Sequence, residues 1–203
     1  MKTINLLALA IASILTVSTA QAAPTEYGNP GTENPFTYTF TAAATGDVFA
    51  YYALPSTTAV YHNEFGLWDV TTGYHSNFVL DNHTANYGDS YNLGSVNAGD
   101  TLVFELLVNS NWYTWYSDKS LNSDGLNHVY SNSFAGDSKI PAGTYVAFED
   151  LQGGGDHSVN DLNYHDATYV LTNVAAVPEP EEFAMFLLGL PLISWIARRK
   201  LAA

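Results

Sequence analysis

Apolar and polar residues alternate along most of this chain, and short turn-forming segments interrupt the alternation. Phe36, Tyr38 and Phe40 are separated by threonines, and the next apolar run, 47–54, is rich in aromatic and β-branched residues. A period of two residues is typical of strands that bury one face. Between the two ends, no window of a dozen residues has a helical period. Further strands are predicted at 65–70, 77–80, 101–108, 112–117, 127–130, 144–148 and 167–174.

Short strands at this spacing, separated by Asn, Asp, Gly and Ser, predict an all-β fold. We expect a single antiparallel β-sandwich of jelly-roll or immunoglobulin-like type, and the pattern does not choose between those two topologies. The sandwich is placed at residues 36–176. Residues 23–35, rich in Pro, Gly and Glu, are interpreted as a linker.

Residues 1–22 have the pattern of a secretory signal peptide. A basic start, Met1-Lys2, precedes an apolar stretch from Ile4 to Leu15, and Ala20-Gln21-Ala22 supplies small residues for cleavage after Ala22. An N-terminal anchor helix is the alternative, but the apolar stretch is shorter than the ~20 residues of a spanning helix.

Residues 177–203 form a second targeting segment. Val177-Pro178-Glu179-Pro180 precedes an uncharged run from Phe183 to Ala197, and Arg198-Arg199-Lys200 follows that run. As a helix the run would span about 22 Å, less than the ~30 Å hydrocarbon core of a bilayer. The three cations would keep its end on the cytoplasmic side. The segment resembles the PEP-CTERM sorting signal of Gram-negative bacteria.

That resemblance implies an exported protein whose tail is recognised and processed by an exosortase-type membrane protease. The C-terminal segment would be a hydrophobic sorting helix that holds the chain in the membrane before processing. The destination would be the cell envelope, the outer surface or the extracellular matrix. Proteins with such tails accompany exopolysaccharide production, so the resemblance also implies exopolysaccharide as a partner.

The charge balance is strongly acidic. The chain has 20 acidic and six basic residues and a formal net charge of −14, and only Lys119 and Lys139 lie outside the two targeting segments. Such a surface disfavours nucleic acid, which is bound through Lys and Arg. There is no cysteine, although an exported protein meets conditions that permit disulfides. Acidic excess without disulfides favours bound calcium as another way to hold loops.

The densest polar segment, 148–162, contains Gly153-Gly154-Gly155. Crowded oxygen-bearing side chains repel one another unless they are paired, and Ca²⁺ takes six to eight oxygen ligands in irregular loops. A solvated acidic turn is the alternative. The predicted calcium ligands are Glu149, Asp150, Asp156, Asn160 and Asp161, with Asp166 following a little later.

Residues 59–172 are similar to a domain family of unknown function from bacterial secreted and surface proteins. The resemblance is carried by three motifs: Asn63-Glu64-Phe65-Gly66, then Asp124-Gly125-Leu126-Asn127-His128, then Glu149-Asp150 with Gly154-Gly155-Asp156 and Asn160-Asp161. It implies a β-sandwich on a bacterial surface and is consistent with metal binding. Ser158 and Val159 stand where the family has an aspartate and an aromatic residue, so one carboxylate is missing.

An aromatic run at 112–116 supplies a second candidate site. Trp112, Trp115 and Tyr116 are candidate glycan contacts, because exposed aromatic rings stack on the apolar faces of sugars; the alternative is burial against the second sheet. The six histidines have no spacing typical of zinc.

No nucleophile-elbow or phosphate-loop motif is present in the sequence. The leading hypothesis is a non-enzymatic, exported surface or matrix protein stiffened by calcium. A glycan-active hydrolase or lyase is the first alternative. An ice-binding protein is a lesser one, since Thr37, Thr39 and Thr41 make only one short threonine row.

Overall fold

A computed structural model of the protein describes residues 26–54, 59–109, 113–153 and 162–178. Within these ranges the chain forms strands joined by turns and one short 3₁₀ helix. In chain order the elements are β1 (Tyr38–Ala42), β2 (Gly46–Tyr52), β3 (Asn63–Asp69), β4 (Tyr74–His75), β5 (Ser90–Val96), β6 (Thr101–Val108), β7 (Tyr113–Tyr116), the 3₁₀ helix (Lys119–Leu121), β8 (Val129–Phe134), β9 (Gly143–Phe148), β10 (Ala167–Thr172) and β11 (Val174–Pro178).

The strands form two antiparallel sheets. Sheet A has the order β11-β1-β6-β3-β4, and sheet B has the order β5-β2-β10-β9-β8. Strand β6 is central to sheet A because β3 pairs along one of its edges from Leu102 to Val108. Its other edge is shared by β1, at Thr101 and Leu102, and by β7, from Glu105 to Val108. The prediction of an all-β, antiparallel fold is confirmed.

The two sheets pack face to face through large apolar side chains. Phe65 of β3 stacks on Tyr169 of β10, with 4.1 Å between ring centroids, and lies 6.2 Å from Phe148 of β9. Phe104 of β6 stacks on the same Phe65 ring at 5.6 Å. All four rings are at most 1% exposed, so the core of a β-sandwich lies between the sheets.

Part of the outer face of sheet B is also buried. Tyr145 and Val170, which point away from the main core, pack in a second cluster with Tyr27 and Tyr164. The ring of Tyr27 meets that of Tyr164 edge-on at 4.9 Å. Asn34, 1% exposed, donates from Nδ2 to the Val129 carbonyl at 2.9 Å. Tyr27 and Asn34 lie in the segment predicted as a linker, and here they are interior residues.

The structure differs from the predicted strands in two places, one predicted strand that does not form and one strand that was not predicted. Residues 77–80 make only one bridge, between Phe65 and Val79, and Leu80 has a positive φ of 57° that ends the extended backbone. Strand β5 was not predicted, because four of its seven residues are exposed and its apolar positions are few. It forms because it pairs with β2, and such pairing cannot be detected from the alternation of apolar and polar residues.

The two predicted targeting segments lie mostly outside the residues that the structure describes. The signal peptide, 1–22, lies outside them, as do Glu179, Pro180, Arg198, Arg199 and Lys200 of the sorting segment. Val177 and Pro178 are the exception, because they end β11 and pair with Thr39 and Tyr38 of β1. In the part of the chain that the structure describes, no helix has the length and apolar character needed to cross a bilayer.

Candidate metal centre

Three acidic side chains meet at one end of the sandwich. Glu149 and Asp150 directly follow β9, and Asp166 directly precedes β10. Because β9 and β10 are antiparallel neighbours with Phe148 opposite Ala167, these positions lie at the same end of sheet B. Ligand atoms of Glu149, Asp150 and Asp166 all lie within 4.8 Å of one another. Glu149 and Asp150 are only 1% and 2% exposed, respectively. We refer to these three residues as the acidic cluster.

Sheet A contributes Asn63, the first residue of β3. Its side chain is completely buried and donates from Nδ2 to Oδ2 of Asp150 at 2.7 Å. The other amide atom, Oδ1, is buried and has no hydrogen-bond partner among the described residues. A buried acceptor that stays unsatisfied costs about 1–3 kcal/mol. Asn63 therefore brings a spare oxygen to the edge of the acidic cluster.

The backbone at Asp150 is held by an aromatic pair on β7. Trp115 donates from Nε1 to the Asp150 carbonyl at 2.9 Å, and the Tyr113 hydroxyl donates to the same oxygen at 3.1 Å. The amide of Asp150 in turn donates to Oδ2 of Asp166 at 3.0 Å. These bonds fix the turn after β9, so the Glu149 and Asp150 side chains start from a backbone of defined position.

A buried Asp–His pair also contacts the backbone of the acidic cluster. His128 lies between two oxygens, with Nδ1 at 2.8 Å from the Glu149 carbonyl and Nε2 at 3.0 Å from Oδ2 of Asp124. Its ring stacks on Trp115 with centroids 3.8 Å apart. The Asp–His pair thus links the segment before β8 to the end of β9.

Asp124 also holds the start of the glycine-rich loop. It accepts from the amides of Leu126 at 3.0 Å and Gly153 at 2.9 Å. Burial alone would raise the pKa of Asp124, but these two bonds and His128 outweigh it and lower the pKa below its ordinary value. Gly153 sits so close to Leu126 that an added Cβ would lie 1.9 Å from a methyl carbon. A larger residue at this position would require the Leu126 side chain to move.

The three motifs of the sequence resemblance therefore meet in space. Asn63 comes from the first motif, Asp124 and His128 come from the second, and Glu149 and Asp150 come from the third. Of the predicted calcium ligands, the structure brings Glu149 and Asp150 together and adds Asp166. Asp156, Asn160 and Asp161 lie outside the described ranges. Asn63 and His128 were not predicted as site residues, although the quoted motifs contain both.

The prediction of a glycan contact at Trp115 is wrong. This ring is 1% exposed and belongs to the main core, so no sugar can stack on it. Tyr116, the next residue, points to the opposite face of sheet A and is half-buried. Burial and the neighbouring Glu105 raise the pKa of its hydroxyl. Trp112 lies outside the described ranges.

The donor set of the acidic cluster is suited to a hard cation. All its ligand atoms are oxygens, and two oxygens on opposite sides of Ca²⁺ at ~2.4 Å would be about 4.8 Å apart. The lysines of the described ranges make their contacts elsewhere: Lys119 pairs with Glu33 at 2.7 Å, and Lys139 lies over the Tyr87 ring. The spare oxygen of Asn63 fits the same chemistry.

Comparison with known proteins finds no family model, curated protein or solved structure that matches this chain. The class of protein is therefore defined by its own fold and site. It is an all-β sandwich with an acidic cluster of oxygen ligands at one end, and two of the three residues of that cluster are buried.

Proposed function

We propose that the acidic cluster binds Ca²⁺ and that the ion ties the two sheets of the sandwich together at this end. The observation that carries the proposal is the convergence of three distant segments on Glu149 and Asp150, with both carboxylates buried. Three carboxylates this close repel one another in a low-dielectric setting. A divalent cation removes that repulsion and adds bonds between elements that are far apart in sequence.

The ligands come from both sheets. Glu149, Asp150 and Asp166 supply one oxygen each from the end of sheet B. A 180° rotation of the Asn63 amide exchanges Oδ1 with Nδ2 and turns the oxygen toward the Asp150 carboxylate, as a ligand from sheet A. Ca²⁺ needs six to eight oxygens. The remaining coordination positions of the ion are assigned to residues of the glycine-rich loop that the sequence predicts as ligands, Asp156, Asn160 and Asp161.

We further propose that the chain is an exported, non-enzymatic surface or extracellular-matrix protein. The N-terminal signal-peptide pattern and the PEP-CTERM-like tail support export, processing by an exosortase-type protease and an exopolysaccharide setting. Burial of Glu149 and Asp150 favours a small ion over a polysaccharide chain as the occupant of the site. In this role calcium stiffens a domain that contains no disulfide.

Thermal unfolding in EDTA and then in excess Ca²⁺ tests the calcium proposal. Binding to the native state alone adds about 2.7 kcal/mol of unfolding free energy at a hundredfold excess over the dissociation constant. We expect the midpoint to rise with Ca²⁺ in the wild-type chain and not in Asp166→Asn. Equal midpoints in EDTA and Ca²⁺ for the wild type would refute the proposal.

Export is tested by comparing the full chain with one that ends at Pro178. This truncation retains β11 and its pairing with β1, so the sandwich stays intact while the hydrophobic run and the basic cluster are removed. Fractionation of a host that carries an exosortase-type protease should show the full chain at the surface and the truncated chain released. Identical distributions would contradict the sorting role of the tail.

A further inference from the structure

Two histidines, His62 and His83, face each other on the protein surface. His62 precedes β3, and His83 lies in the turn that connects the bridge at Val79 to β5. Their ring centroids are 4.0 Å apart with an interplanar angle of 41°. Half of the His62 side chain is exposed, and His83 is exposed too. Neither ring is needed to fill the core.

Each ring has one nitrogen held by an acceptor oxygen. Nδ1 of His62 lies 2.9 Å from Oδ2 of Asp81, and Nε2 of His83 lies 3.0 Å from the Ala59 carbonyl. A carboxylate and a carbonyl only accept, so in the neutral imidazoles these nitrogens carry the protons. The lone pairs are then on Nε2 of His62 and Nδ1 of His83. Metal-binding histidines have the same arrangement, in which an outer carboxylate or carbonyl fixes the tautomer.

The backbone beneath the pair is rigidly anchored. Asp81 accepts from the His83 amide at 2.7 Å, which closes a local turn. The next residue, Asn82, is 3% exposed and accepts from the Asn63 amide at 2.9 Å. The carbonyl of His62 accepts from the amide of Asn109 at 2.9 Å. Both histidines therefore project from backbone positions that the sandwich fixes, which lowers the ordering cost of chelation.

We propose that His62 and His83 form a two-imidazole chelate for a divalent transition-metal cation of the Cu²⁺ or Zn²⁺ class, with Asp81 as the outer carboxylate. Imidazole nitrogen suits these borderline cations, whereas Ca²⁺ requires oxygen. Two protein nitrogens leave the remaining positions to water, so the site is open to solvent. The acidic charge of the protein raises the local concentration of cations. This proposal is independent of the calcium site and stands if that site fails.

Electron paramagnetic resonance of the full chain with one equivalent of Cu²⁺, in excess Ca²⁺, tests the chelate. We expect hyperfine coupling to two nitrogen nuclei in the wild type and to one nitrogen in His62→Ala or His83→Ala. His75→Ala is the matched control, because His75 is about as exposed as His62 and also lies beside a carboxylate, Glu105, and it should leave the spectrum unchanged. A melting curve for each variant verifies that it is folded.

Competition with a chromogenic chelator then measures the affinity of each variant for Cu²⁺ alone. Asp81→Asn should weaken binding by about 10-fold, and the double variant His62→Ala/His83→Ala should lose the site. Three results would overturn the proposal: no nitrogen coupling in the wild type, unchanged affinity in the double variant, or a loss that appears only in His157→Ala. The last would place the cation elsewhere in the chain.

Discussion

Buried carboxylates occur in two settings in this protein. Asp69, at the end of β3, is 1% exposed and accepts from the amides of Thr71 and Thr72 and from the Thr72 hydroxyl. These donors all lie within three residues of Asp69 in the sequence. Asp150 is equally buried, but its side chain bonds Asn63, 87 residues away, and it shares its surroundings with Glu149 and Asp166. Burial alone therefore does not define a metal site.

The difference lies in what neutralises the charge. At Asp69 the turn's own N–H and O–H groups satisfy the carboxylate, so an ion adds nothing. In the acidic cluster three carboxylates converge and the neighbouring amide oxygen of Asn63 is an acceptor as well. Three converging carboxylates concentrate negative charge, and that charge favours a cation. The comparison predicts calcium-dependent stability at one site and calcium-independent stability at the other.

The largest expected effect comes from removing the support beneath the cluster. Trp115→Ala deletes a fully buried ring together with its bond to the Asp150 carbonyl, and we expect a loss of about 3–5 kcal/mol in unfolding free energy. Urea denaturation measures it. Trp68→Ala is the control, because that ring is half-buried on the outer face and stacks on His75. A loss at Trp115 no greater than that at Trp68 would show that the aromatic support is not structural.

Asp150→Asn and Asp69→Asn separate the two settings directly. Asp150→Asn should abolish the stabilisation by Ca²⁺, about 2.7 kcal/mol at a hundredfold excess over the dissociation constant. Asp69→Asn should cost about 1–2 kcal/mol, since it weakens charge-assisted bonds, and by equal amounts in EDTA and in Ca²⁺. Thermal unfolding in both buffers gives the two numbers. Calcium sensitivity that survives in Asp150→Asn would contradict the assignment.

Acid titration probes the Asp–His support. Because hydrogen bonds lower the pKa of Asp124 in the folded state, its contribution to stability is present above the unfolded value of about 3.9. It is lost as pH falls below that value through the lower folded pKa. Asp124→Asn should flatten the stability curve below about pH 4. Chemical denaturation at a series of pH values measures the curve, and identical acid slopes in the variant and the wild type would refute this role.

The smallest expected effect is at the surface. Lys119 pairs with Glu33 at 2.7 Å, but the two side chains are 39% and 30% exposed. Lys119→Ala should therefore cost only about 0.2–1 kcal/mol, and the cost should shrink in salt. Urea denaturation at low and high ionic strength checks this. A loss comparable to that of Trp115→Ala would mean that the pair has a structural role that its exposure does not indicate.

The sequence predicted the fold through the strands that follow a period of two or are continuously apolar. Strands β3 and β6 lie close to where the pattern predicts them. The polar strand β5 was not predicted, and residues 77–80 were predicted as a strand but make only one bridge. Alternation of apolar and polar residues detects a strand that buries one face. A strand whose residues are mostly exposed lacks that alternation, even when it pairs with a neighbour. The segment around Tyr27 packs on the outer face of sheet B, which also escapes a period-two analysis.

The candidate site was predicted in part. Glu149 and Asp150 are adjacent in a dense polar segment, so composition alone points to them. Asn63 and His128 reach the same place from other elements. Asn63 is brought there by the packing of β3 against β9 across the sandwich, and His128 by the pairing of β8 with β9. Trp115 was predicted as a glycan contact because alternation separates the two faces of a strand but does not show which face is buried.

Calcium titration calorimetry on the wild type, Asp150→Asn and Asp69→Asn tests the central claim most directly, because it reports binding without passing through stability. The account predicts saturable Ca²⁺ binding in the wild type and in Asp69→Asn, and loss of that binding in Asp150→Asn. Absence of binding in the wild type, or equal binding in both variants, would contradict it.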